Sequence, residues 1–159
     1  MKAVTYSEYA PDDNYAKILK VQDIDDPKPK ADEVVFEVKS AALNYNDIWG
    51  MRGQPVPVPL PHVSGSDAAG DVIAIGEDVK NIKIGDKVVS HSNMSCRVCK
   101  ACTDGREFDC IKRTIWGFQT GPNWGAFQEV THLPEVNVSK IPEGVSYDQA
   151  AAASMTLLT

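Results

Sequence analysis

Glu33-Val34-Val35-Phe36-Glu37-Val38-Lys39-Ser40-Ala41-Ala42-Leu43 is the stretch on which the fold turns. Val34, Phe36 and Val38 fall on one face, with Glu37 and Lys39 among the opposite positions, the period-two signature of a strand with one face in a core. Working outward, Lys2 to Glu8 and Lys17 to Val21 read as short strands, with a polar, proline-bearing loop at Asp25 to Asp32. Asn44 to Arg52 has room for one or two helical turns. Pro55, Pro57, Pro59 and Pro61 then alternate, which predicts a rigid extended surface loop with few ladder donors. Gly65 to Ile75 reads as the next strand, turned by Gly76-Glu77-Asp78. Gly85-Asp86 turns again into Lys87 to Ser90. Ala126 to Thr131 and Val136 to Ile141 read as the last strands. Ser146 and Gln149 have capping-box spacing ahead of an alanine-rich run, predicting a helix from Tyr147 to the end of the chain. Many short strands with glycine and proline turns predict a mainly β domain, a small barrel or sandwich. The closing helix has no stop signal, so the chain reads as cut rather than finished.

The 159 residues suffice for one domain with its own core. A 43% apolar and 24% charged composition excludes a wholly disordered chain, a collagen-like fibre and a coiled coil. A formal charge of −6 argues against a nucleic-acid partner, which needs a basic footprint. No apolar run approaches the ~20 residues of a membrane span, and no leader pattern opens the chain, so the expected compartment is the cytoplasm.

Cys96, Cys99, Cys102 and Cys110 are all the cysteines of the chain, at spacings of two, two and seven residues. Four thiolates so placed suit a closed tetrahedral zinc site, structural rather than catalytic, in a lobe over about residues 91–114. Disulfides, buried free thiols and an iron–sulfur cluster are the alternatives. Two-residue spacing pairs cysteines poorly, and a reducing compartment disfavours disulfides. Arg97, Lys100 and Arg106 are expected to offset the charge of the sulfurs.

Taken together, the cysteine spacing, Gly65-Ser66-Asp67-Ala68-Ala69-Gly70-Asp71-Val72, Val79-x5-Gly85-Asp86-Lys87-Val88 and Ile141-Pro142 resemble the medium-chain dehydrogenase/reductase superfamily over essentially the whole chain. The resemblance implies a GroES-like partly open β-barrel with a few short helices and a structural-zinc lobe, spanning residues 1–159. It further implies that a Rossmann cofactor domain follows in the whole enzyme. No G-x-G-x-x-G occurs in this chain. Zinc alcohol dehydrogenases of this superfamily hold a catalytic zinc with a Cys, a His and a second Cys. The matching positions here are Asn44, Ser66 with Asp67, and Met155, which cannot build a thiolate/imidazole site. His62, His91 and His132 have no ligand spacing and read as hydrogen-bonded or exposed histidines.

The zinc-independent reductases remain. Asn44-x-x-Asp47 and Gly65-Ser66-Asp67 are similar to motifs of quinone oxidoreductase-like and enoyl-CoA reductase-like proteins. In a finer match, Asn44-Tyr45-Asn46, His62-Val63-x-Gly65-Ser66-Asp67, Ile115-Trp116-Gly117-Phe118 and Gly125-Ala126-Phe127 resemble crotonyl-CoA carboxylase/reductases. In the carboxylase/reductases an acidic residue after the phenylalanine matched by Phe118 helps hold carbon dioxide, and here Gln119 stands in its place. The resemblance therefore implies an NAD(P)H-dependent reduction of the C=C of an α,β-unsaturated carbonyl: an enoyl-CoA, an enone or a quinone. Asn44, Asn46, Asp47, Ser66, Asp67 and Gln119 become the candidate site, with Thr159 beside the nicotinamide of NADPH or NADH. On residues alone, Asn44 and Asp47 read equally as helix caps, Gly65 and Asp67 as turn formers, and Trp116 and Phe118 as core. The partners implied are a small-molecule substrate, the chain's own Rossmann domain and, in principle, a second copy. The other readings are a zinc-dependent alcohol dehydrogenase, a stand-alone zinc-stabilised binding module and a co-chaperonin.

Overall fold

The computed structural model of the protein describes residues 1–157. The strand that opened the reading, β3 (Glu33–Ala42), is the longest of the molecule and sits near the middle of its main sheet. Before it come β1 (Lys2–Thr5), the single turn α1 (Tyr15–Ile18) and β2 (Lys20–Asp23). After it come α2 (Tyr45–Arg52), β4 (Asp67–Ile75) and β5 (Lys87–Ser90). The cysteine lobe holds β6 (Asn93–Met94), the short α3 (Lys100–Thr103) and β7 (Thr114–Ile115). The chain closes with β8 (Val130–Pro134), β9 (Val138–Lys140) and α4 (Tyr147–Ala153).

Five strands form one antiparallel sheet in the order β8-β3-β4-β5-β9. Two register shifts in the β3–β4 pair, at Val35/Phe36 and Val38/Ser40, mark bulges that curl the sheet. β1 pairs with β2, and the hairpin is tied to the rest through Ala3–Gln128 and Tyr6–His62 bridges. The result is a curled, partly open barrel, mainly β with short helices, as expected. Val34 and Phe36 are fully buried, with Val38 packed against the same cluster, so the alternating face is the core face. Val72, Val88, Leu133 and Trp116 complete that core. Tyr6, Ile18, Met51, Val58 and Phe118 form a second cluster under α2.

Several local expectations shift. Lys17–Val21 is not one strand: residues 15–18 make a helical turn that buries Ile18, and β2 starts at Lys20. Arg52 binds Asp13 and Tyr15 just upstream, which holds the chain in that turn. The strand expected at Ala126–Thr131 lies four residues later. Ala126 and Phe127 instead donate to the Gly65 and Ser64 carbonyls. Residues 135–137 turn as a 3₁₀ helix before β9. The capping box holds, with the Gln149 N–H on Ser146 Oγ and the Ser146 N–H on Gln149 Oε1. Yet α4 stops at Ala153, because Ser154 Oγ donates to the Ser90 carbonyl and the Met155 N–H is drawn to Asp67. Thr159 lies outside the described residues.

Gly70 faces Val38 in the β3–β4 ladder, and a Cβ there would overlap the Glu37 carbonyl oxygen. Gly70→Ala is therefore expected to cost roughly 2–3 kcal/mol by overpacking. Gly85→Ala, at a left-handed turn with open space around it, should cost only about 1 kcal/mol. Paired thermal unfolding curves of the two variants check the difference.

Candidate functional site

The candidate residues converge at the start of α2. Asn44 precedes the helix in extended conformation (φ −130°, ψ 160°), and Asp47 is the third helical residue. Asp47 Oδ2 accepts the Asn44 N–H at 2.8 Å, while its Oδ1 accepts the Gly65 N–H at 3.0 Å. One buried carboxylate thus caps the helix and fastens the chain that leads into β4. Asp67, the first residue of β4, accepts the Met155 N–H at 2.5 Å, and Asn44 Nδ2 lies 3.5 Å from its other oxygen. Asn44, Asp67 and Met155 therefore meet, although α4 is far away in sequence. Asn46 Nδ2 donates to Ser66 Oγ at 2.7 Å, and the Ser66 carbonyl accepts the hydroxyls of Ser90 and Ser92. Asn46 Oδ1 is buried without a hydrogen-bond partner.

Burial dominates the electrostatics here. It raises Asp47 to about 6, against the lowering effect of the Asn44 and Gly65 N–H groups, with a further upward push from Asp67. Burial raises Asp67 as well, opposed by the Met155 N–H and the side chains of Asn44 and Ser154.

Gln119 is not brought to this cluster by any hydrogen bond: its Oε1 accepts the Ile115 N–H at 2.9 Å and closes its own turn. Trp116 is fully buried and Phe118 nearly so, both in the core clusters. Gly117 lies so close to Gly65 that a Cβ would overlap the Gly65 carbonyl, so the loop after β7 presses directly on the chain entering β4. His62 is fully buried, with Nδ1 3.1 Å from the Pro59 carbonyl oxygen and Nε2 3.1 Å from that of Gly117. His91 approaches Asn137, and His132 stacks on Trp124 with ring centroids 5.2 Å apart.

A cavity of ≈ 420 Å³ opens between β1, Leu19, α2 and Phe127, with Asn44 and Asp47 in its wall. Tyr6, Ser64 and Met51 also line it. Sequence reasoning missed these three, because nothing in their local pattern shows that β1 folds back over α2.

In the cysteine lobe, β6 and β7 pair at the base (Asn93 with Ile115, Met94 with Thr114) and hold the loop closed. All four Sγ atoms lie within 4.8 Å of one another. Sγ separations are 3.5 Å for Cys99–Cys102, 3.6 Å for Cys96–Cys110 and 4.0 Å for Cys96–Cys102. A tetrahedron with Zn–S near ~2.3 Å has edges of about 3.8 Å, so the residues fit a zinc tetrathiolate. The expected cationic screen is corrected. Arg97 pairs with Glu107, Lys100 with Asp104, and Arg106 with Asp109 and Asp104. Backbone donors serve the sulfurs instead: the Cys96 N–H points at Cys110 Sγ, and the N–H groups of Val98 and Cys99 lower the Cys96 thiol to about 6.

A curled antiparallel sheet carrying a four-cysteine lobe, with a polar cluster where α2, β4 and the end of α4 meet, defines a dehydrogenase-type GroES-like domain. Residues 30–143 match the family model described as the alcohol dehydrogenase GroES-like domain, and the chain belongs to that family, within the medium-chain dehydrogenase/reductase superfamily. It is 33% identical over 147 residues to a crotonyl-CoA carboxylase/reductase of Cereibacter sphaeroides, covering 89% of this chain and 34% of that protein. It is 28% identical to an L-threonine 3-dehydrogenase of Aliivibrio salmonicida, covering 95% and 43%. Among solved structures, an NAD-dependent alcohol dehydrogenase superposes with TM-score 0.91 and 36% identity, covering 100% of this chain and 45% of that one. The chain thus spans between a third and a half of the length of these relatives. Among the described residues, no helix is long and apolar enough to cross a membrane.

Freshly reduced protein should carry about one zinc per chain by metal analysis, and a chelator should first raise hydrogen exchange in residues 91–114. Finding no metal would refute the zinc site. Asp47 should titrate near pH 6 by carboxyl ¹³C NMR, against about 3.9 when unfolded. Because its folded value is the higher, the folded chain binds the extra proton between these limits. Asp47 therefore favours folding below about pH 4, and that contribution is lost as pH rises to about 6.

Proposed function

We propose that the chain is the substrate-side domain of an NAD(P)H-dependent oxidoreductase without a catalytic zinc, reducing the C=C of an α,β-unsaturated carbonyl such as an enoyl-CoA, an enone or a quinone. The observation that carries the reading is the meeting of Asn44, Asp67 and Met155. These are the places that resemble the family's zinc-ligand positions. An amide, a carboxylate and a thioether gather there in place of thiolates and imidazole, and the three histidines of the chain are engaged elsewhere. The 33% identity to a crotonyl-CoA carboxylase/reductase supports the same direction. A Rossmann domain downstream would complete the enzyme, and the relatives' greater length supports that too.

When bound, a nicotinamide supplies hydride to the β-carbon, and negative charge develops on the substrate's carbonyl oxygen. The residues of this chain meet that charge. Asn44 directs one amide N–H toward Asp67, which leaves its second N–H for the oxygen. Asp47 holds the backbone of Asn44 in place through its N–H. Asn46 and Ser66 form the buried support beside them. Thr159 is assigned beside the nicotinamide, and Gln119 near the substrate on the far wall. The lobe's zinc is structural, held by Cys96, Cys99, Cys102 and Cys110. The enzyme is assigned to the cytoplasm, and self-association is compatible with this reading.

A zinc-dependent alcohol dehydrogenase is the second reading, favoured by the 36% identity to the NAD-dependent alcohol dehydrogenase of known structure. Assays of the full-length protein with NADPH and NADH separate the two, using crotonyl-CoA with and without bicarbonate, a quinone and, in reverse, alcohols with NAD⁺. Asn44→Ala is expected to lower kcat about a hundredfold with a smaller change in KM, as for loss of an oxyanion donor. Unchanged turnover removes Asn44 from the mechanism, and alcohol oxidation alone overturns the reductase reading.

A further inference from the structure

The cavity between β1 and α2 has a polar end and an apolar end. Tyr6, Asp47 and Ser64 are its most buried lining residues, at 1%, 2% and 5% exposure. Leu43 and Tyr45 stand at its mouth, 85% and 58% exposed. Tyr6 Oη and Ser64 Oγ lie 3.3 Å apart. Two hydroxyls bring two protons to that single contact, so one O–H remains for a third group. Asp47 accepts one backbone N–H on each oxygen, and each oxygen keeps a second lone pair. The buried end therefore lines the cavity with one free O–H donor and a carboxylate acceptor, the complement of a hydroxyl group. A carboxylate would instead meet Asp47 as a like charge, on a chain whose net charge is already −6. The flanking walls are aromatic and apolar: Tyr45, Phe127, Ile48 and Met51. A volume of ≈ 420 Å³ lies within the usual range of small-molecule sites, about 300–1,000 Å³.

We propose that this cavity is a binding site for a phenol: a neutral aryl ring between Phe127, Ile48 and Met51, with its hydroxyl at Tyr6, Ser64 and Asp47. The cavity adjoins the assigned reaction site, with Asn44 and Asp47 in its wall, but the binding proposed is a distinct event from that reaction. It needs neither a nicotinamide nor turnover, and Trp49 and Phe118, which pack together on α2 and the loop after β7, do not line it.

The test is binding to the full-length protein at pH 8, read by methyl NMR at Ile48 and Met51 and by calorimetry, with p-cresol as probe. p-Cresol should give saturable shifts. Toluene, which lacks the hydroxyl, should bind about fivefold more weakly, the value of one net hydrogen bond. 4-Methylbenzoate should bind at least tenfold more weakly. Ile48→Trp fills the cavity and should weaken p-cresol at least tenfold. Leu43→Trp blocks the mouth from an exposed position and should do the same, even if Ile48→Trp fails to fold. No saturable shift with p-cresol overturns the proposal. So does equal binding of the three probes, or binding unchanged in every variant that folds.

Discussion

Two buried carboxylates hold together segments that the backbone ladder leaves unconnected. Asp47 grips the Asn44 N–H at the head of α2 and the Gly65 N–H that leads into β4. Asp67 takes the Met155 N–H past the end of α4 and reaches the Asn44 amide. Sheet pairing fixes β3 against β4, while these acceptors tie the start of α2 and the segment after α4 to the chain around β4. Backbone N–H donors stabilise an ionised carboxylate without adding a countercharge, and burial works against them. Asp47, raised to about 6, shows burial outweighing its two N–H donors.

The same economy of charge governs the cysteine lobe. Arg97, Lys100 and Arg106 are engaged by the lobe's own carboxylates, so the sulfurs draw on main-chain donors and, in our reading, on a metal. Surface ion pairs of this kind add little stability individually, which leaves the sulfur cluster as the principal tie within the lobe.

What could be read from the sequence was what short-range pattern encodes. Val34, Phe36 and Val38 announced their face by alternation, Ser146 and Gln149 their cap by spacing, and the four cysteines their cluster by both. What escaped was decided by partners far along the chain. Residues 126–128 have strand character, but their hydrogen bonds go to Ser64, Gly65 and β1, not to β3. Alanine content favours continuing α4, yet Asp67 and Ser90 divert the groups beyond Ala153. Asn44, Asp47 and Asp67 could be named as a set only through family resemblance. Asn44 and Asp47 are only three residues apart, but the bonds that join them to Asp67, Gly65 and, through Asp67, Met155 span 18 to 88 positions, and no local period reports a contact of that range. Tyr6 and Ser64 carried no signal at all.

His62 adds a different kind of constraint. Both ring nitrogens face carbonyl oxygens at 3.1 Å, one from the proline tract and one from the glycine loop after β7. A neutral imidazole carries a single N–H, and burial favours the neutral ring. The two loops therefore compete for one hydrogen. Whichever carbonyl receives it is held, and the other confronts a lone pair. The choice of tautomer becomes a choice of which loop is gripped, so a proton moving between two nitrogens of one ring can trade mobility between two walls of the domain.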